Sequence, residues 1–346
     1  MRRLLLVVLT ALLVLTVPGV GGASSRLRGD TRVFAAMPAG AKAAYVFVHP
    51  NGRVYAASYD DPAGGSRSRV YEWSAAGKLL RSWAVPGQDL AAEHGVQVAN
   101  ADARGRLVLL ETSTASVLTL DPTTGRFTKQ ATLADLATVK GKPVPNYATW
   151  GPGGALYVTD YGQAVIWRVP AGGGAAKVWF ASKELEGVGF GTTGIVYRPG
   201  SHDFLIGQQT GGPGNPAAGK LYRIPVVAGK PGTLGVFWRS RTADLPDGFG
   251  TARSGHVYVA NVGLSNQLVE LSSTGTEIRR FGAALSGANG SPVPFDGPSN
   301  ATFLGTRVLV ANQSPIAGNK DHLAILDVEL GEPGAAIYRP KASTLS

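Results

Sequence analysis

Residues able to do chemistry recur along this chain at intervals of about fifty: Lys42, Glu93-His94, Asn146, Thr193, Asp247 and Asn300. Each stands just ahead of a run of alternating apolar residues. Carboxylate, amide and hydroxyl oxygens with one imidazole suit a hard or borderline divalent cation such as Ca²⁺, Mn²⁺ or Zn²⁺. An ion so held polarises a carbonyl or lowers the pKa of bound water. Glu93 and Asp247 are the charged oxygen donors of the set, and His94 can serve as a general base. Asn and Asp at a strand entrance also have an ordinary occupation, the Asx-turn that satisfies nearby backbone groups. Asn146 and Asp247 carry more weight because they share one register: Leu156 and Val257, the first apolar residues of the following strands, each lie ten residues on.

What positions these residues is a repeat. Each unit has an extended run, a turn rich in Pro, Gly, Asp or Asn, and an alternating apolar strand. The third unit, Ala148-Thr-Trp-Gly-Pro-Gly-Gly-Ala-Leu-Tyr-Val-Thr159, is the clearest. A second hairpin follows, as in Ala164-Val-Ile-Trp-Arg-Val-Pro170 and Leu323-Ala-Ile-Leu-Asp-Val328. Four strands per unit and six units, beginning near 45, 95, 147, 194, 248 and 300, predict an all-β fold, a six-bladed β-propeller with four antiparallel strands per blade. The 47 glycines and 22 prolines fit the many tight turns this requires. Residues 31–36, Thr-Arg-Val-Phe-Ala-Ala, are expected to add a strand to the last blade and close the ring. In a propeller the inner strands line one channel, so the polar residues at their entrances converge.

The chain ends and composition set the context. Arg2 and Arg3, an apolar run from Leu4 to Leu15, Pro18 and then Gly21, Gly22 and Ala23 read as a signal peptide over residues 1–23. A dozen apolar residues fall short of the ~20 needed to span a bilayer. The expected product is a secreted domain, residues 24–346, with no membrane span, and a monomer. With no cysteine, disulfide scaffolds and thiolate metal sites are excluded. The net charge of +10 is scattered and lacks the basic stripe with interleaved aromatics of a nucleic-acid binder. No nucleophile elbow, phosphate loop or His-Glu-x-x-His motif occurs. His49, His202 and His256 sit in or beside tight turns and are expected at the surface.

The segments Pro145-Asn146…Gly154-Ala-Leu-Tyr-Val-Thr-Asp160, Leu245-Pro-Asp-Gly-Phe249…Gly255-His-Val-Tyr-Val-Ala260 and Pro298-Ser-Asn-Ala-Thr-Phe-Leu-Gly305 resemble three blades of the gluconolactonase/regucalcin family, which includes senescence-marker protein and luciferin-regenerating enzyme. The resemblance implies lactone hydrolysis assisted by one divalent cation at the channel mouth. Asp247 matches the family's ligand and base, and Asn146 its substrate-contacting Asn. Three positions depart: Thr193-Gly194 stands where the family has Asn-Gly, no acid replaces its first-blade Glu, and Val144 takes the place of an Arg. Glu93, Glu111 or Asp160 are the carboxylates able to compensate.

Three functions follow as expectations. One is a lactonase-like hydrolase for a small ester or lactone, with Asp247 and His94 catalytic, Asn146, Thr193 and Asn300 binding substrate, and Asp247 with Glu93 on a metal. Another is a non-catalytic propeller that binds a small ligand or glycan. The last resembles strictosidine-synthase-like propellers, with metal-free acid–base chemistry on Glu93 or Glu111.

Overall fold

The alternating apolar pattern forms strands, and the strands group into six sheets around one axis. The computed structural model describes residues 26–212 and 214–345; the expected leader, residues 1–23, lies outside them. The first blade is Val46–Val48, Val54–Ala57, Arg69–Trp73 and Leu79–Ala84; the second runs from Val96–Ala101 to Phe127–Thr132 and the third from Pro145–Trp150 to Lys177–Ala181. The fourth spans Thr192–Arg198 to Gly235–Arg239 and carries an extra two-residue strand, Lys230–Pro231. The fifth runs from Pro246–Thr251 to Glu277–Phe281. The protein is the six-bladed, antiparallel propeller that the repeat predicts, and the helices among the described residues are single 3₁₀ turns. No helix among the described residues is long and apolar enough to cross a membrane.

The sixth blade closes the ring from both ends of the chain. Pro298–Leu304, Arg307–Asn312 and Ala324–Glu329 supply three strands, and Thr31–Ala36 pairs antiparallel with the last of them. Every sheet face is then covered by the next blade. Val108, Leu110 and Val117 of the second blade, for example, bury themselves against Trp150, Val158 and Trp167 of the third. The closing strand is also held by charge. The carboxylate of fully buried Asp327 accepts from Arg26 (2.8 Å), Arg32 (3.0 and 3.1 Å) and Arg307 (2.5 Å).

Near the axis the inner strands approach closely enough to require glycine. A Cβ on Gly248 would stand 2.6 Å from the Tyr147 hydroxyl and 2.7 Å from Asn300 Cβ. One on Gly194 would stand 2.7 Å from the Phe249 ring. The channel is therefore filled at this level by the chain itself.

Replacing Asp327 by Ala leaves three arginines without their shared acceptor. The loss is expected to be about 2 kcal/mol in urea unfolding, below a fully buried pair because the arginines stay partly exposed.

Candidate functional site

Five inner strands begin in the same way. Their first residues, Val96, Pro145, Thr192, Pro246 and Pro298, pair with the last residues of the neighbouring strands: Glu111, Asp160, Gln208, Asn261 and Asn312. A register irregularity follows in each strand. The next residue is Gln97, Asn146, Thr193, Asp247 or Ser299, and all five are buried. These side chains, with Tyr59 and Tyr161 from loops of the first and third blades, make the polar end of the channel.

Asp247 is the acid of this ring. It is 7% exposed and meets no cation. Burial pushes its carboxyl well above the usual range, against a smaller opposing effect from the Tyr147 hydroxyl beside it. Tyr147 donates its proton to the Ser299 carbonyl at 2.7 Å. Burial first, then the nearby Asp247 charge, also raises Tyr59, Tyr147 and Tyr161, so all three stay neutral hydroxyls.

At this end of the blades lie buried polar atoms without partners. Both amide atoms of Gln97 and of Asn261, and Oδ1 of Asn146, are buried without a hydrogen bond. Tyr59 lies against the Asn146 and Gln97 amides without closing a bond to these atoms. An unmet buried amide costs about 1–3 kcal/mol, so such a concentration marks a place prepared for a ligand or water.

The other residues singled out in the sequence have different employment. Thr193 Oγ1 donates toward the carbonyls of Pro246 and Asp247, 3.3 Å from each, tying the fourth blade to the fifth. Asn300 accepts from the Val46 amide at 2.8 Å and donates to Thr302 at 3.2 Å, tying the sixth to the first. Glu93 is exposed. His94 is buried, and both ring nitrogens face carbonyls, Ser66 at 2.8 Å and Ala92 at 3.0 Å. Burial disfavours its charge, but these acceptors together with the Asp61 and Glu111 carboxylates outweigh burial and raise its pKa. Both His94 nitrogens are thus engaged with backbone carbonyls, away from Asp247, and its backbone also bridges Asp61. Glu111 accepts from the amides and hydroxyls of Ser113 and Thr114. Asp160 accepts from Val144, Gly162, Gln163 and Trp167. Neither carboxylate compensates for the missing first-blade acid.

Sequence reasoning missed Gln97 and the tyrosines. The register used for Asn146 and Asp247 holds for Gln97, since Leu107 lies ten residues on. Tyr59 and Tyr161 also share a register, one residue past Ser58 and Asp160 and four past Tyr55 and Tyr157. One histidine departs from surface expectations. His49 is buried against Phe47 and Tyr55 with Nε2 3.1 Å from the Gly105 carbonyl, and burial lowers its pKa. His256 joins Glu270 and Glu332.

That trio is the only set of three metal-capable side chains that comes together among the described residues, with ligand atoms within 4.8 Å of one another. It lies at the far end of the fifth blade from Asp247, and Arg28 contacts Glu270 at 2.5 Å within it. Asp247 belongs to no such group. Its neighbours offer Asn146 and Gln97 oxygens but no second carboxylate or imidazole, a donor set that does not fit a tightly bound divalent cation.

Fold and geometry define a six-bladed propeller with a buried acid among neutral donors at one end of its channel. No protein-family model matches the chain, and no curated protein matches it in sequence. Its fold is similar to that of regucalcin, a calcium-binding protein from Agrobacterium tumefaciens (18% identity, TM-score 0.61, covering 89% of this chain and 98% of that one). A gluconolactonase from Xanthomonas campestris is similar at 15% identity and TM-score 0.53, covering 90% and 99%. So is a catalytically inactive virginiamycin B lyase from Staphylococcus aureus with quinupristin, at 15% identity and TM-score 0.57, covering 85% and 83%. At these identities the similarity establishes the shared propeller architecture.

A buried acid with a raised pKa stabilises the fold below its unfolded pKa, and that stability is lost as pH rises through the folded pKa. Asp247→Asn keeps the shape without the charge. It is expected to match the parent protein in thermal melts near pH 4 and to exceed it by roughly 1–3 kcal/mol under alkaline conditions.

Proposed function

We propose that this chain is a secreted, lactonase-type hydrolase that opens a small ester or lactone at the Asp247 end of the channel. The observation that carries this reading is one buried carboxyl, its pKa raised by desolvation, among hydroxyls and unmet amide groups. The Tyr59 hydroxyl and the Gln97 amide are donors for the substrate carbonyl oxygen, where negative charge develops as water adds to the carbon. Asp247 gives its proton to the departing ring oxygen as that C–O bond breaks. Its other oxygen takes the proton released by the attacking water, so the carboxyl is regenerated and the product is a hydroxy acid. Asn146 orients the substrate. The family resemblance and the similar fold of a gluconolactonase support this reaction class, and the basic, apolar, small-residue order of residues 1–23 supports export. No step is assigned to a metal ion.

Because the protonated acid is the active form, activity should fall as pH rises through the raised pKa of Asp247. With a panel of sugar and aliphatic lactones, Asp247→Asn is expected to lower kcat by at least ~100-fold, the usual contribution of a proton-transfer group. Tyr59→Phe is expected to lower it about tenfold or more. Undiminished turnover in Asp247→Asn would contradict the assignment. The unmet amides of Gln97, Asn146 and Asn261 also favour a second reading, a propeller that binds a small polar ligand without turnover. Calorimetric binding of a lactone with no hydrolysis would select it.

A further inference from the structure

A well-formed opening lies away from Asp247. A cavity of about 370 Å³ occupies the opposite half of the channel, lined by Tyr45, Tyr197, Phe249 and Phe303 from the blades. Its size lies within the ~300–1,000 Å³ of small-ligand sites. The two ends are separated by aromatic packing: Tyr45 lines the cavity and sits 4.9 Å from the ring of Tyr147, whose hydroxyl faces the Asp247 side.

The C-terminal segment completes the cavity wall. After Glu332 the chain runs across this face, with Gly334 donating to the Gly305 carbonyl at 3.2 Å and Ala335 to that of Thr251 at 2.9 Å. Ile337 and Tyr338 line the cavity, and Tyr338 packs edge-on against Tyr197 at 4.8 Å. Beyond them Ser343 accepts from Ala103 at 2.7 Å, and Leu345 is fully buried among the second and third blades. The strap is thus anchored on both sides of the cavity that it walls.

Two guanidinium groups belong to this lining, in different states. Arg198 is held by Asp203 through two contacts of 2.8 Å. Arg253 is exposed, and no carboxylate pairs with it among the described residues. An aromatic chamber with one unpaired cation on its wall is complementary to a flat apolar body that bears an anion. We propose that this chamber is a second binding site, distinct from the Asp247 end, whose ligand is a small aromatic carboxylate, its rings among Tyr197, Phe249, Phe303 and Tyr338 and its carboxylate on Arg253.

The test is fluorescence titration of the full chain with anilinonaphthalene sulfonate, competed by naphthoate and by uncharged naphthalenemethanol. One saturable site per chain is expected, from which naphthoate displaces the probe at least about tenfold more effectively than the alcohol. That preference should vanish in Arg253→Ala. Ser201→Trp, at an exposed position of the lining, should abolish binding by filling the mouth, whereas Asp247→Asn should leave it unchanged. Absence of saturable binding, equal competition by acid and alcohol, or undiminished binding in Ser201→Trp would each overturn the proposal.

Discussion

Six inner strands converging on one axis leave little room for water at the Asp247 end, and that desolvation governs the chemistry there. Where the lining is apolar, convergence stabilises the ring by burying hydrocarbon, as each blade does between its neighbours. Where the lining is polar, the same geometry forces each group to find a partner or to go without. Thr193, Ser299 and Asn300 find theirs across the blade boundaries and so stitch the inner strands together. Asp247 finds no cation, and burial raises its pKa instead. Its chemistry is a consequence of its place on the axis.

The propeller was legible in the sequence because its cause is local and repeated. A turn signal followed by alternating apolar residues recurs six times, and each copy folds for the same reason. The closing strand at Thr31–Ala36 was legible too, since a ring with a three-stranded last blade leaves an edge that needs covering. The site was legible only in part. Asn146 and Asp247 could be placed by counting ten residues back from a strand, because that count is fixed by the hairpin. Glu93 and His94 were drawn toward the site by residue type alone, and both lie upstream of the position that Gln97 fills. Tyr59 and Tyr161 reach the channel from loops of other blades, a convergence that depends on ring closure and leaves little mark in any one repeat.

The carboxylates show how residue type misleads when partners are unknown. Glu111 and Asp160 each terminate a second strand and look available in a linear reading. In the fold each gathers the amides and hydroxyls of the turn that follows it. Their charge is fully used in fixing the loops that surround the site. His94 does similar service with both its nitrogens. These residues act on the chemistry indirectly, by holding still the walls against which Asp247, Tyr59 and Gln97 are set.

The account therefore rests on Asp247 being a protonated carboxylic acid near neutral pH. Infrared difference spectroscopy between the parent protein and Asp247→Asn at neutral pH measures this state directly, before any substrate is known. A C=O stretch of a protonated carboxyl, lost in the variant, is the result predicted. A difference spectrum showing only the bands of an ionised carboxylate would contradict it.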